Sequence, residues 1–404
     1  MLYNTYEMQK NWLAGASAMA SMSAELLQSP GNPLAFMGGP VMASALEVFA
    51  HASAPRGKPA FGLTTTVVDG KEVAVHEQIV LQLPFGQLKR FAKAGVENAP
   101  RLLIVAPMSG HFATLLRGTV ERMLPKHDVY ITDWRDARQV PLSAGRFDLD
   151  DYIDYLAAFL DHIGPGAHML AVCQPSVPCY ALACLMSADQ NPNRPKTLTM
   201  MGGPIDTREA PTAVNDVATE RPHAWFQQNA IQTVPVMYPG AGRRVYPGFL
   251  QLTGFLSMNL GSHMESHFAM FKDLVKGDDD AADSTKAFYE EYRSVCDMTA
   301  EFYLQTIETV FQKHALPKGE MLHRGTRVDP AAITDIAILA IEGERDDISG
   351  IGQTKAALNI STGLPDAMKK YHLAPGAGHY GIFNGSRWRT LIAPVVEEWI
   401  ATHD

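Results

Sequence analysis

The chain has 404 residues, 46% of them hydrophobic, and a formal net charge of −9 from 43 acidic and 34 basic side chains. That length can bury one enlarged core or two ordinary ones. The acidic balance and the lack of any Lys/Arg stripe exclude a nucleic-acid backbone as partner. Three of the four cysteines (Cys173, Cys179, Cys184) fall within twelve residues without Cys-x-x-Cys spacing, and Cys296 stands apart. Neither a zinc knuckle nor a disulfide framework is indicated, and unpaired thiols fit a reducing compartment. The start lacks the basic region of a signal peptide. Trp12 to Met22 is too short to span a bilayer. A cytoplasmic protein with no integral membrane association is expected.

In chain order, Tyr3 to His51 reads as helices broken at Ser29-Pro30-Gly31-Asn32-Pro33 and Gly38-Gly39-Pro40. The first carries an Ala/Met/Leu face, which predicts a packing surface. Phe61 to Asp69 and Glu72 to Leu83 flank Asp69-Gly70, a hairpin signal. Short apolar strands then alternate with helical spacing. Strands are predicted at Leu102 to Pro107, Val129 to Trp134, His168 to Val172 and Thr197 to Met201. Helices are predicted at Phe112 to Leu124, Leu149 to Ile163 and Val177 to Ser187. This rhythm implies an α/β fold, a mostly parallel sheet with helices on both faces.

The rhythm stops at Gly202-Gly203-Pro204. From Ile205 to about Arg327 the chain reads as aromatic- and Met-rich helix without a convincing strand. It includes Gln251 to Leu274, an acidic break at Asp278-Asp279-Asp280, and a long helix from Thr285 to Lys313. Strands resume at Ile336 to Ile341 and Lys369 to Leu373, and a last helix runs from Trp388 to Ala401. The expected organisation is an N-terminal helical segment (1–60), a core in two parts (61–204 and 331–404), and a helical lid inserted between them (205–330). No internal repeat is present.

Cys173 lies between a predicted strand and a predicted helix, where an α/β-hydrolase fold places its nucleophile. A cysteine nucleophile needs a base and a group to orient that base. The fold's chain order is nucleophile, acid, histidine. After the resumed strand comes Glu342-Gly343-Glu344-Arg345-Asp346-Asp347, in which Asp346 is preferred over Asp347 because it follows Gly343 by three. After the next strand comes Pro375-Gly376-Ala377-Gly378-His379, a small-residue loop able to bring His379 to Cys173. Ala171 and Pro175 stand where the usual turn has glycines. Ala is small, and Pro suits a first helical turn. The helix start then turns its positive end toward Cys173, which favours thiolate. An oxyanion hole needs two N–H donors. Gln174 supplies one and the Pro107-Met108-Ser109-Gly110-His111 loop the other, with Met108 preferred and Ser109 next.

Other signals are weaker. His263 and His267 have metal-ligand spacing, but Glu265 is misplaced for a zinc protease and a helical pair is the plainer reading. Gly240-Ala241-Gly242-Arg243-Arg244 could hold an anion, but a loop is the better reading. No metal and no cofactor is called for.

The chain resembles the intracellular polyhydroxyalkanoate (poly-3-hydroxybutyrate) depolymerases of the α/β-hydrolase superfamily. The resemblance rests on Met1-Leu2-Tyr3, Ala106 to Gly118, Ala171-Val172-Cys173-Gln174-Pro175-Ser176-Val177-Pro178, Met201 to Asp206, Glu342-Gly343-Glu344 with Asp346 to Thr354, and Gly378 to Phe383. It implies a Cys173–His379–Asp346 triad cleaving the esters of stored polyester, and a soluble protein that docks on storage granules. Water or coenzyme A would accept the acyl group, and a homo-oligomer is left open. The alternatives are a polyhydroxyalkanoate synthase-like acyltransferase, whose elbow resembles Gly-x-Cys-x-Gly, and a non-catalytic granule-associated protein.

Overall fold

A computed structural model describes residues 2–29, 39–258, 274, 286 and 289–404. Two helices, α1 (Leu2–Gln28) and α2 (Gly39–Ser53), form an N-terminal hairpin. A nine-stranded sheet follows, made of β1 (Thr65–Val68), β2 (Lys71–Gln82), β3 (Gly86–Lys93), β4 (Arg101–Val105), β5 (Asp128–Trp134), β6 (His168–Val172), β7 (Thr197–Met201), β13 (Ala337–Gly343) and β14 (Lys369–Ala374). Its order is β1-β2-β3-β5-β4-β6-β7-β13-β14. The first three strands run antiparallel, and from β5 onward every neighbour is parallel. This is the α/β-hydrolase fold.

The apolar strands are buried on both faces, as parallel strands covered by helices must be. Alternate residues feed two cores. Leu103, Val105, Met169, Ala171, Leu198 and Met200 pack with α4 (Leu149–Ile163) and α5 (Ser176–Ala188). Leu102, Ile104, Leu170, Val172, Leu339 and Ile341 face α3 (Arg117–Met123) and the C-terminal helix, through Val120, Met123, Trp388 and Val396. α4 starts where its sequence says, because Asp148 and Asp151 form a reciprocal capping box.

Three points of the sequence reading need correction. First, β3 went unread, because Lys89 and Lys93 interrupt its apolar alternation. Both lysines are buried and satisfied. The Lys89 ammonium pairs with Glu77 and Asp133, and that of Lys93 donates to the carbonyls of Leu124 (2.6 Å) and His127 (2.9 Å). Second, the stretch between β7 and β13 is not strand-free. β8 (Gln232–Thr233), β9 (Arg244–Tyr246) and β10 (Met298–Thr299) make a small antiparallel sheet, and β11 (Leu322–His323) pairs with β12 (Thr326–Arg327). Strands of two or three residues leave no readable period.

Third, the helix expected from Thr285 to Lys313 is broken at residues 294–299. There the backbone leaves the helix to pair with the β4 loop: the Cys296 N–H donates to the Gly110 carbonyl (2.8 Å), and Val295 bridges His111. Helix returns only as α7 (Ala300–Thr306), continued by a π-helical stretch at Ile307–Gln312. The helix expected from Gln251 is helical at its start, as α6 (Gly248–Met258). Residues 259–273, which include His263 and His267, and the acidic break at 278–280 lie outside the described residues.

Candidate active site

Three loops at the C-terminal ends of β6, β13 and β14 meet, which is where an open parallel sheet puts its site. At the first, Cys173 takes φ +67°, a left-handed conformation that a side chain disfavours by about 1–2 kcal/mol. Neighbours fix it there. The Cys173 N–H donates to the Met201 carbonyl (2.7 Å), and the Cys173 carbonyl accepts from the Ser176 N–H (3.0 Å). Pro175 caps α5 at φ −59° without strain, and Ala171 is fully buried beneath the turn. The other three cysteines are free thiols buried in the core, and burial pushes each of them well above the usual thiol range. Cys173 is half-buried and lines a cavity.

Gly202 and Gly203, at the end of β7, make room for this turn. Gly202 has φ +59°, and a side chain there would meet Ile382 (2.8 Å), His379 Cε1 (3.1 Å) and Asp346 Oδ2 (3.2 Å). One on Gly203 would collide with Ser176 and press on the Cys173 carbonyl (3.1 Å). The Gly-Gly-Pro sequence that ends the strand rhythm therefore seats the elbow.

His379 Nδ1 donates to Asp346 Oδ2 at 2.8 Å. Asp346 Oδ1 accepts the N–H groups of Ile348 (2.9 Å) and Ser349 (2.8 Å), which fixes the carboxylate plane. Its side chain is fully buried, whereas Asp347 is exposed. Burial disfavours a charged imidazole, but the Cys173 sulfur and the Asp346 carboxylate outweigh it and hold His379 well above the usual histidine range.

The acid and histidine loops are stitched together. The Arg345 N–H donates to the Ala377 carbonyl (2.9 Å), and the Gly376 N–H donates to Glu344 (2.6 Å). The sequence reading did not single out Glu342, which is fully buried behind them. Its carboxylate accepts from the N–H groups of Gly352, Thr354 and Lys355 (each 2.8 Å) and from the Tyr371 hydroxyl (2.7 Å). A carboxylate at the last turn of an apolar strand, followed by a Gly/Thr-rich loop, was the available signal.

Met108, Ser109 and Gln174 line the same cavity as Cys173. Among the described residues, no acceptor engages the N–H of Met108 or Gln174. The Met108 loop is held by the pairing to residues 295–296 and, at its root, by Trp134 Nε1 donating to the Ala106 carbonyl (2.9 Å). The cavity holds about 370 Å³. Its far walls are apolar side chains of the segment between β7 and β13, including Val217, Phe226, Tyr246, Phe302 and Phe311. The Gly240–Arg244 loop plays no part here. The Arg243 guanidinium donates to the carbonyls of Val140, Pro141 and Gly145, an internal clamp rather than an anion site.

A family model described as "PHB de-polymerase C-terminus" matches residues 202–404, half of the chain. The chain belongs to the PHB depolymerase family. The match contains Asp346 and His379 and begins at the glycine that seats the elbow. Membership makes the protein a carboxylic ester hydrolase. No curated protein matches the chain. Similar solved structures include the naproxen esterase of Bacillus subtilis (15% identity, 82% of this chain and 92% of that one, TM-score 0.44). An esterase of Thermogutta terrifontis is similar at 14% identity (84% and 98%, TM-score 0.42). The 2-hydroxy-6-oxo-6-phenylhexa-2,4-dienoate hydrolase of Rhodococcus sp. RHA1 is similar at 12% (81% and 99%, TM-score 0.44). Among the described residues no helix is long and apolar enough to cross a membrane.

Proposed function

We propose that the protein is a depolymerase of stored poly(3-hydroxybutyrate) that works through a Cys173–His379–Asp346 triad and an acyl-thioester intermediate. The reading is carried by the Asp346–His379 hydrogen bond together with the strained Cys173, which lines an apolar cavity. His379, oriented by Asp346, takes the Cys173 proton. The thiolate attacks a polyester carbonyl, and the N–H groups of Gln174 and Met108 hold the oxyanion. His379 returns its proton to the leaving alkoxide, so a chain end departs as a hydroxyl. Water, or the thiol of coenzyme A, then attacks the thioester with His379 as base, releasing 3-hydroxybutyrate, a short oligomer or their thioester. A thioester suits either acceptor. The work site is the granule surface in the cytoplasm.

The test uses p-nitrophenyl butyrate and amorphous polymer granules. The wild type is expected to accumulate a butyryl adduct on Cys173, detectable by mass and released by hydroxylamine. Cys173→Ala is expected to lose the adduct and at least about 10³-fold of turnover on both substrates. A Cys173→Ala protein that still clears granules would overturn the triad.

A further inference from the structure

Helix α1 turns its large apolar residues away from the protein. The residues it buries are Tyr3, Glu7, Ser17, Ala20 and Ala24, mostly small, and the Ser17 hydroxyl donates to the Ala50 carbonyl of α2 (2.8 Å). About half a turn around the helix, Met8, Trp12, Met19, Met22 and Leu26 are each 66–74% exposed. With Gly15, these positions recur at alternating steps of four and three, so they form one stripe along the helix. On α2, Val41, Met42 and Phe49 are exposed as well. Nine of the nineteen exposed large apolar side chains among the described residues lie in these two helices. A soluble surface does not concentrate them so without a use.

Charge selects the occupant. Glu25 is the one ionised side chain among the exposed residues of α1, and the exposed residues of α2 carry none. Interfacial helices that bind anionic bilayers flank their apolar face with Lys and Arg, which are missing here. A coiled-coil seam with a second copy wants branched aliphatics at each position and charged flanks. This stripe has Gly15 in its middle, Asn4 in line with it, and Gln9, Asn11 and Ser23 beside it. Unbranched methionines and a tryptophan adapt to an irregular apolar surface. An uncharged amorphous polyester is such a surface.

We propose that the outward stripe of α1, with the exposed apolar residues of α2, seats the protein on the stored polyester. This rests on the depolymerase reading above. Tyr3 roots the hairpin in the catalytic body: its hydroxyl donates to Asp297 (2.6 Å), and the next residue, Met298, lines the Cys173 cavity.

The decisive protein is the full chain carrying Trp12→Gln, Met19→Gln and Met22→Gln, three exposed positions whose replacement removes no buried contact. Partition onto protein-free amorphous poly(3-hydroxybutyrate) granules is measured by co-sedimentation. It is expected to fall at least tenfold, while kcat/KM on p-nitrophenyl butyrate stays within twofold. Wild-type sedimentation of the variant overturns the proposal. So does a dimer that becomes a monomer by light scattering while granule binding persists, which would assign the stripe to a second copy. Equal wild-type binding to phosphatidylglycerol vesicles, lost together with granule binding in the variant, would assign it to lipid and overturn it too. Failure of the depolymerase reading looks different: the wild type sediments with granules, the variant does not, and no hydroxy acid is released. That outcome upholds the docking surface.

Discussion

Around Cys173, the side chains of Ile382, Phe383 and Trp388 lie at 1% exposure or less, while in α1 Trp12, Met19 and Met22 lie near 70%. The two regions use similar residue types in opposite directions. In the α/β body, large apolar side chains fill the space between sheet and helices, around the strained backbone at Cys173. In the hairpin, small residues make the internal contact and the large ones point outward. Rigidity in the first region serves bond chemistry, which needs reacting groups placed within a fraction of an ångström. An adaptable outer face suits attachment to a surface without fixed structure.

The comparison can be broken most directly at the acid. Asp346→Asn removes the carboxylate that fixes the His379 tautomer and is expected to cost about 10²–10⁴ in kcat on a soluble ester. Asp347→Asn, one residue on and exposed, is expected to stay within a few-fold. Equal losses would mean that the loop, rather than Asp346, matters. A tryptophan pair tests the packing contrast. Trp388→Ala empties a fully buried site and should cost about 3–5 kcal/mol in urea unfolding, whereas Trp12→Ala should stay within about 0.5 kcal/mol. A large loss at Trp12 would show that the hairpin face is packed in solution.

The smallest effect is a pH dependence confined to the catalytic region. The folded state holds His379 above its unfolded value of about 6.5, so its contribution to stability is fully present below that pH and is lost as pH rises through the folded value. Cys173→Ala removes one of the two groups that raise it. The stability advantage of wild type over this variant should therefore be greatest at or below about pH 6.5 and shrink on the alkaline side. Trp12→Ala should show no such trend. Histidine titration by NMR checks the same point, with the His379 midpoint falling in Cys173→Ala.

Much of the body was legible in advance. α4, β6 and β7 fall where apolar runs and caps put them, and Asp346 and His379 follow strands in the order the fold requires. What stayed hidden depends on partners distant in sequence. β3 was masked because its lysines look solvent-bound until the carboxylates and carbonyls that receive them are in place. The helix break at 294–299 exists because the Met108 loop offers a carbonyl for Cys296 and an edge for Val295. Glu342 reads as an ordinary strand-end acid until three backbone N–H groups and a tyrosine converge on it.

By itself, the sequence determined the strand rhythm, the elbow at Cys173 and the chain order of Asp346 and His379, because periodicity and turn chemistry are local properties of the chain. Tertiary structure alone decided three matters. It placed the imidazole against the Asp346 carboxylate. It closed an apolar cavity over the elbow with a segment whose short strands have no readable period. It also turned the face of α1 that the sequence reading took for a packing surface out to solvent. A stripe of Met, Trp and Leu shows only that a helix is amphipathic. Which side faces the protein depends on the close contact that Ser17, Ala20 and Ala24 allow with α2.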